Sequence, residues 1–394
     1  MRLRASSGRA APAALRRLTL VSSDVAPIGG MERASFELCE RLLRRGWEVT
    51  VIARSCALPA HPGLRFVRLR SPSRPVSAAL ASDLVLGSLA VRRHRTGLVQ
   101  TDNPIVGNRV EVIHAHFCER AYRERVGVSR SRRGDPLYRL NSWIAGAIAL
   151  LCERWCYRPR RVGAVVGVSQ GLTRELVDFY PGMRDTVRTI PNGVDCGAFR
   201  PVAGQRERVR AELGIADGEL LALFVGGDWH RKGLRYAIEA VAAAPAWRLA
   251  VAGDGDSTGF ARLAADRGAG DRVLFLGKVA QPHGVYAAAD ALTLPSHYEA
   301  FSLVTLEAAA AGLPLLVTQI NGTEELVEEG VNGWFVERDG ATIAARLHQL
   351  QRDPVHHASM REAARRSAER YDWDRIVDDF EQLYLELLAP ADLH

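Results

Sequence analysis

The hydrophobic pattern of this chain switches repeatedly between the period of a strand and that of a helix. Residues 18–22 form an apolar run of strand length, and 32–45 carries the 3.6-residue period of an amphipathic helix. Gly46 closes that helix, and 47–53 and 64–69 return to strand character. Further strands are expected at 110–114, 162–168 and 187–190, with helices at 137–157 and 170–180. The second half repeats this grammar. Its expected strands are 220–225, 247–252, 273–276, 291–294, 315–317 and 333–336, with helices between them, among them 234–243 and 304–311. A last helix is expected at 373–388. Strands alternating with helices predict an α/β fold built on doubly wound parallel sheets.

Pro191 to Pro201 breaks the pattern and marks a boundary. The expected organisation is a disordered tail (1–15), a first Rossmann-like domain (16–195), a second (196–372) and a terminal helical segment (373–394) that could pack back on the first domain. With 394 residues, each domain has room for its own core. The longest apolar helical stretch, 143–152, is too short for a membrane span and is closed by Glu153 and Arg154. No apolar leader follows the basic start (Arg2, Arg4, Arg9, Arg16, Arg17), so no secretory signal is expected.

Six scattered cysteines without paired C-x-x-C spacing read as reduced, cytosolic thiols with no metal framework. Charge is distributed unevenly. Residues 1–200 carry 33 Arg against 16 acids, net +17, whereas 201–394 is net −10, which leaves +7 overall. A cationic first half suits an anionic partner: a lipid surface, a phosphorylated saccharide or a nucleic acid. The arginine clusters at 92–95, 130–133 and 158–161 lack the interleaved aromatics of a single-strand binder and accompany no nucleic-acid motif, so no nucleic-acid partner is expected. The arginine excess is also what a biased codon usage would give.

The candidate chemistry concentrates in the second half. Glu299 and Glu307 are separated by seven residues, and Gly312 and Pro314 end the helix that carries Glu307. Glu299 is therefore expected in a loop just ahead of a helix start. The backbone N–H groups of Phe301, Ser302, Leu303 and Val304 are expected as unpaired donors at the positive end of the dipole, where a phosphate binds. Carboxylates beside such a site can hold sugar hydroxyls. Alone, the pair also fits two solvated glutamates assisting a helix dipole. Upstream, a buried strand at 220–225 runs into Gly226-Gly227 and then Arg231-Lys232-Gly233 before a helix. Two cations thus sit beside a second helix start, one a point charge and one a bidentate clamp for phosphate.

Taken in order, Gly29-Gly30 before a helix, Pro191-Asn192-Gly193-Val194-Asp195, Gly226 to Arg231-Lys232-Gly233, Val251-Ala252-Gly253-Asp254-Gly255 and Glu299-x7-Glu307 resemble retaining glycosyltransferase family 4. That family has the GT-B fold, two Rossmann-like domains facing a central cleft. The resemblance spans residue 18 to the C-terminus and is stronger in the second half. It implies a hexosyltransferase that uses a nucleotide-diphosphate sugar and a saccharide or lipid-linked acceptor, as in cell-envelope glycan or lipopolysaccharide synthesis. In its terms Glu299 meets the donor sugar, Glu307 the ribose and Lys232 the diphosphate, while His116 lies near the sugar and β-phosphate. Gly29 and Gly30 would admit the phosphate to the backbone. No cofactor or metal is implied, and Asp254-Gly255-Asp256 matches the family's plain glycine turn. One departure stands out: the family's arginine five residues before the lysine is Gly227 here. Arg231 is expected to replace it, as in the branch resembling lipopolysaccharide-core glucosyltransferases. The implied location is cytoplasmic, with peripheral attachment to an anionic membrane surface.

The rival readings are a non-catalytic sugar-nucleotide binder, a GT-B epimerase and an NAD-dependent oxidoreductase. The last would need a G-x-G-x-x-G turn that this chain lacks.

Overall fold

The computed structural model describes residues 16–125 and 136–389; the expected tail at 1–15 and the arginine cluster at 130–133 lie outside the described residues. The chain divides into two compact units. One holds the described residues up to Gly167, Thr173–Ile190 and everything from Val377 onward; the other holds Val168–Leu172 and Pro191–Ile376.

The first unit is built on seven parallel strands: β1 (Arg17–Val21), β2 (Glu48–Ala53), β3 (Leu64–Arg68), β4 (Leu98–Asp102), β5 (Val110–Ala115), β6 (Val162–Gly167) and β7 (Val187–Thr189). Their order across the sheet is β3-β2-β1-β4-β5-β6-β7. The second unit has six, also parallel: β8 (Leu220–Val225), β9 (Trp247–Ala252), β10 (Val273–Gly277), β11 (Ala291–Leu294), β12 (Leu315–Val317) and β13 (Gly333–Phe335). They lie in the order β10-β9-β8-β11-β12-β13. Both sheets thus reverse direction beside their first strand, between β1 and β4 and between β8 and β11. At such a switch point the loops leaving the carboxyl ends diverge and open a site for a ligand.

Strand β4 corrects the sequence reading, which passed over it and took 110–114 as the fourth strand. All five β4 residues are buried, yet three are polar: Gln100, Thr101 and Asp102. Each finds a partner inside the unit. Gln100 Oε1 accepts from the Tyr384 hydroxyl at 2.6 Å, Thr101 donates to the Asn103 carbonyl at 2.9 Å, and Asp102 accepts from Ser35. A buried strand whose polar residues find hydrogen-bond partners need not be apolar, although Gln100 Nε2 and Asp102 Oδ1 have none among the described residues. The short helices between 76 and 94 were likewise not expected.

Five helices position the site and shape the surface: α1 (Met31–Arg44), α2 (Pro136–Cys156), α3 (Leu234–Ala243), α4 (Leu303–Ala310) and α5 (Trp373–Leu388). Helix α5 begins in the second unit, and from Val377 it belongs to the first. There Glu381 accepts from the Trp47 indole and from Arg45, both at 2.7 Å, and the Phe380 ring packs edge-on against His114 with centroids 5.0 Å apart.

Candidate active site

In the second unit the loop after β8 is shaped by glycines that let other chain segments pass close. Gly226 has φ +147°, and a Cβ there would lie 2.3 Å from Lys232 Cδ. The lysine stem therefore runs directly over the Gly226 backbone. A Cβ on Gly253, at the end of β9, would lie 2.0 Å from the Gly226 carbonyl oxygen, so the two turns nest. The Trp229 indole donates to the Gly226 carbonyl at 2.6 Å and occupies the space beside Gly255. Asp256 accepts the Thr258 N–H at 3.0 Å, two residues on; the D-x-D sequence serves here as a turn.

This nesting delivers Lys232 to the loop after β11. Lys232 Nζ donates to Glu299 Oε1 at 2.8 Å, and Arg231 approaches the same oxygen at 3.2 Å. Arg231 also donates to the Tyr298 carbonyl at 2.5 Å and pairs with Asp228 at 3.1 Å. Ser296 completes the carboxylate's partners at 3.1 Å. Burial pulls the Glu299 carboxyl up, but Lys232 and then Arg231 outweigh it, and its pKa ends below the ordinary value. Glu299 is thus an anion, fixed in direction. The cations beside it come from the first strand of the unit and the carboxylate from the fourth, so the group lies at the switch point.

Beyond Glu299 the chain enters α4 through Ser302, whose backbone is extended and whose hydroxyl is buried with no hydrogen-bond partner among the described residues. The loop itself is pinned from beneath. Asn192, of the Pro-Asn-Gly-Val-Asp turn, donates to the Phe301 carbonyl at 3.1 Å, and Ser169 donates to the Ala300 carbonyl at 2.7 Å. The Phe301 ring is buried against Tyr371 and over Gly322. Phe301 can therefore offer a ligand only its backbone. Leu303 and Val304 form the first turn of α4, with N–H groups that have no acceptor within the helix. Glu307 lies one turn on, and its Oε2 accepts from the Tyr286 hydroxyl at 2.6 Å. Sequence reasoning missed Ser296, Ser169 and Tyr286. A serine three residues before the glutamate is a local cue; Tyr286, 21 residues upstream, leaves none.

Gly29, Gly30 and His116 belong to the first unit. Gly29 has φ +93°, and the Glu32 carboxylate sits 2.4 Å from where its Cβ would be. Gly30 has φ −99° and open space where a Cβ would go. Asn103 ties this turn to the histidine: its Nδ2 contacts Met31 Sδ at 3.2 Å and its Oδ1 accepts the His116 N–H at 2.9 Å.

Asp102, which the sequence did not single out, lies beside both histidines. Its Oδ1 is 3.9 Å from His114 Nδ1 and from His116 Nε2, too far for a hydrogen bond, while Ser35 holds the other oxygen. These three side chains bring ligand-type atoms within 4.8 Å of one another, a donor set that suits a divalent transition metal. Burial, and then His116, push the His114 pKa well below its ordinary value, so this imidazole is neutral.

Comparison with known proteins fits both halves. The profile described as "Glycosyl transferases group 1" matches residues 205–367, and that described as "Glycosyltransferase Family 4" matches residues 28–197. A D-inositol 3-phosphate glycosyltransferase of Thermobispora bispora is 30% identical over 398 residues, covering 91% of this chain and 90% of the relative. Among solved structures, WaaG, a glycosyltransferase involved in lipopolysaccharide biosynthesis, superposes with a TM-score of 0.78 at 22% identity, covering 93% of this chain and 99% of WaaG. Anabaena HepE in complex with UDP-glucose superposes at 0.70 with 18% identity, covering 94% and 99%. These neighbours share the GT-B fold with this protein. The chain belongs to the group 1 glycosyltransferases of family 4.

Proposed function

We propose that this protein transfers a hexose from a nucleotide-diphosphate sugar, with retention, to a saccharide or lipid-linked acceptor in envelope glycan synthesis. The observation that carries this reading is the Lys232–Glu299 pair at a helix start beside a switch point. Sugar transfer leaves negative charge on the departing diphosphate, and preorganised cations and N–H dipoles lower that barrier. An ammonium has three donors, and its bond to Glu299 uses one. Lys232 and Arg231 supply the positive charge, the first turn of α4 supplies the N–H groups, and Glu299 is the acceptor for sugar hydroxyls. Glu307 takes the ribose. The family resemblance gives His116 a place near the sugar and β-phosphate. No metal is needed if these cations do that work.

The choice of a UDP-sugar is supported by the HepE complex with UDP-glucose, and a phosphorylated acceptor by the inositol phosphate in the relative's name and the net +17 of residues 1–200. That charge also favours peripheral attachment to an anionic membrane surface. Turnover of UDP-, GDP- and ADP-sugars against phosphorylated and lipid-linked acceptors tests the reading. Transfer from one of these donors is the expected result; binding of all without turnover of any would leave a sugar-nucleotide binder instead.

A further inference from the structure

Helix α2 has two apolar faces where a surface helix ordinarily has one. Ala145, Gly146, Glu153 and Cys156 are buried on one side. That side is fastened: Glu153 accepts from the Glu119 and Arg120 N–H groups at 2.6 and 3.3 Å and from the Tyr180 hydroxyl at 2.7 Å. Near its start, Asn141 Oδ1 accepts from the Ser77 hydroxyl at 2.7 Å. The helix therefore has no freedom to turn over. On its other side Leu140, Trp143, Leu151 and Trp155 are 54%, 61%, 67% and 43% exposed. Leu140, Leu151 and Trp155 share one stripe at the spacing of 3.6 residues per turn, with Trp143 on its flank. Four large apolar side chains in one patch on a helix are more than a monomer scatters over its surface by chance.

The exposed charges of α2 and of the turn that follows it have one sign. Arg139, Arg154, Arg158 and Arg160 are exposed, whereas Glu153, the single acid of α2, is buried. The Trp155 ring is capped by the Arg161 guanidinium at 3.7 Å and flanked by Arg158 at 5.2 Å. Long cationic side chains over an indole suit a water–lipid boundary, where the stems and rings enter the acyl layer and the charges meet headgroup phosphates. A second copy of this chain would bring the same arginines face to face in a two-fold contact. The helix has 21 residues, and among the described residues no helix is long and apolar enough to cross a membrane.

We propose that the exposed face of α2 lies in the plane of an anionic membrane and anchors the protein there. The proposal deepens the membrane attachment named under the proposed function and rests on it. It assigns the contact to particular residues: Leu140, Trp143, Leu151 and Trp155 enter the interface, and Arg154, Arg158 and Arg160 read its charge.

Flotation of the full chain with vesicles of phosphatidylcholine alone, or with about a third phosphatidylglycerol, tests it. The wild type should float with the anionic vesicles about tenfold better than with the neutral ones, and high salt should remove the difference. Leu140→Glu with Leu151→Glu should lower recovery about tenfold or more while the melting temperature stays unchanged. Arg154→Gln with Arg158→Gln and Arg160→Gln should erase the preference for anionic vesicles. Quenching of tryptophan fluorescence by brominated lipid should accompany binding and disappear in the double glutamate variant. Absence of flotation, equal recovery on both vesicles, or unchanged binding of the glutamate variant overturns the proposal. So does a dimer, seen by light scattering, that the glutamate substitutions dissociate. Donor turnover is measured separately without lipid. A protein that turns over donor but does not float overturns only the anchor, and one that floats but does not turn over overturns only the transferase reading.

Discussion

Lys232 and Glu299, 67 residues apart in sequence, meet at 2.8 Å because the turns after β8 and β11 leave adjacent strands at their carboxyl ends. The pair is largely buried, with side-chain exposures of 11% and 12%. Removing either partner therefore has two consequences, one chemical and one structural.

Lys232→Ala should lower kcat by about 10²-fold or more, the scale of one lost preorganised charge. It also leaves Glu299 with Arg231 as its remaining cation, and the lost hydrogen bond should cost about 1–3 kcal/mol of stability. The double variant Lys232→Ala/Glu299→Gln should recover much of that stability and none of the rate. Chemical denaturation alongside steady-state kinetics checks both, and activity within about twofold of wild type for Lys232→Ala would remove the lysine from the mechanism.

Two glycines separate a structural role from a binding role. Gly253→Ala forces a Cβ onto a backbone oxygen at 2.0 Å with φ at +143°, and should cost about 2 kcal/mol or more. Gly30→Ala meets nothing within 4 Å and has negative φ, so the melting temperature should hold. If the Gly30 turn admits a phosphate, donor affinity should nonetheless fall, which isothermal titration would read. Unchanged affinity would mean the turn does not approach the donor.

His114 gives stability a pH dependence whose sign can be worked out. Its folded pKa lies well below the ordinary value of about 6.5, so under that pH the unfolded chain takes up a proton that the folded chain refuses. Stability should therefore fall as pH drops from about 7 towards 5, with at most about 1.4 kcal/mol per pH unit from this group. The lowered pKa of His357 acts in the same direction. Glu299, also lowered, adds its loss only at more acid pH. His114→Phe should flatten the melting-temperature profile between pH 7 and 5; an unchanged slope would assign the effect elsewhere.

Transfer should survive EDTA. Loss of activity restored by Mg²⁺ or Mn²⁺ would instead direct attention to Asp102, His114 and His116, whose ligand-type atoms stand within 4.8 Å of one another.

The sequence was legible where the chemistry is local. Glycine turns, the Arg-Lys step and the glutamate spacing are short-range features, and the strands of the second unit are apolar enough to read, with β8, β9, β11 and β12 beginning and ending where expected. Strand β4 stayed hidden because Gln100 and Asp102 find hydrogen-bond partners in Tyr384 and Ser35, 284 and 67 residues away in sequence. Asp102 was lost with it. The bond from Tyr286 to Glu307 and the hold of Asn192 on Phe301 are likewise products of folding. The two-sided character of α2 was invisible for another reason: an apolar residue in a helix gives no sign in sequence of whether its face is covered.

The way α5 finishes the first unit has a consequence for the order of events at the ribosome. The partners of Trp47, Gln100 and His114 in that unit include Glu381, Tyr384 and Phe380, which follow the whole second unit in sequence. Domains generally fold as they emerge, the N-terminal one first. Here the N-terminal sheet can form early, but its buried indole and carboxamide wait for the whole second unit to be translated before they are paired. The first unit thus stays unfinished until the residues from Val377 onward have followed the second unit out of the ribosome, and that moment, rather than the end of the first run of strands, sets when the unit can close.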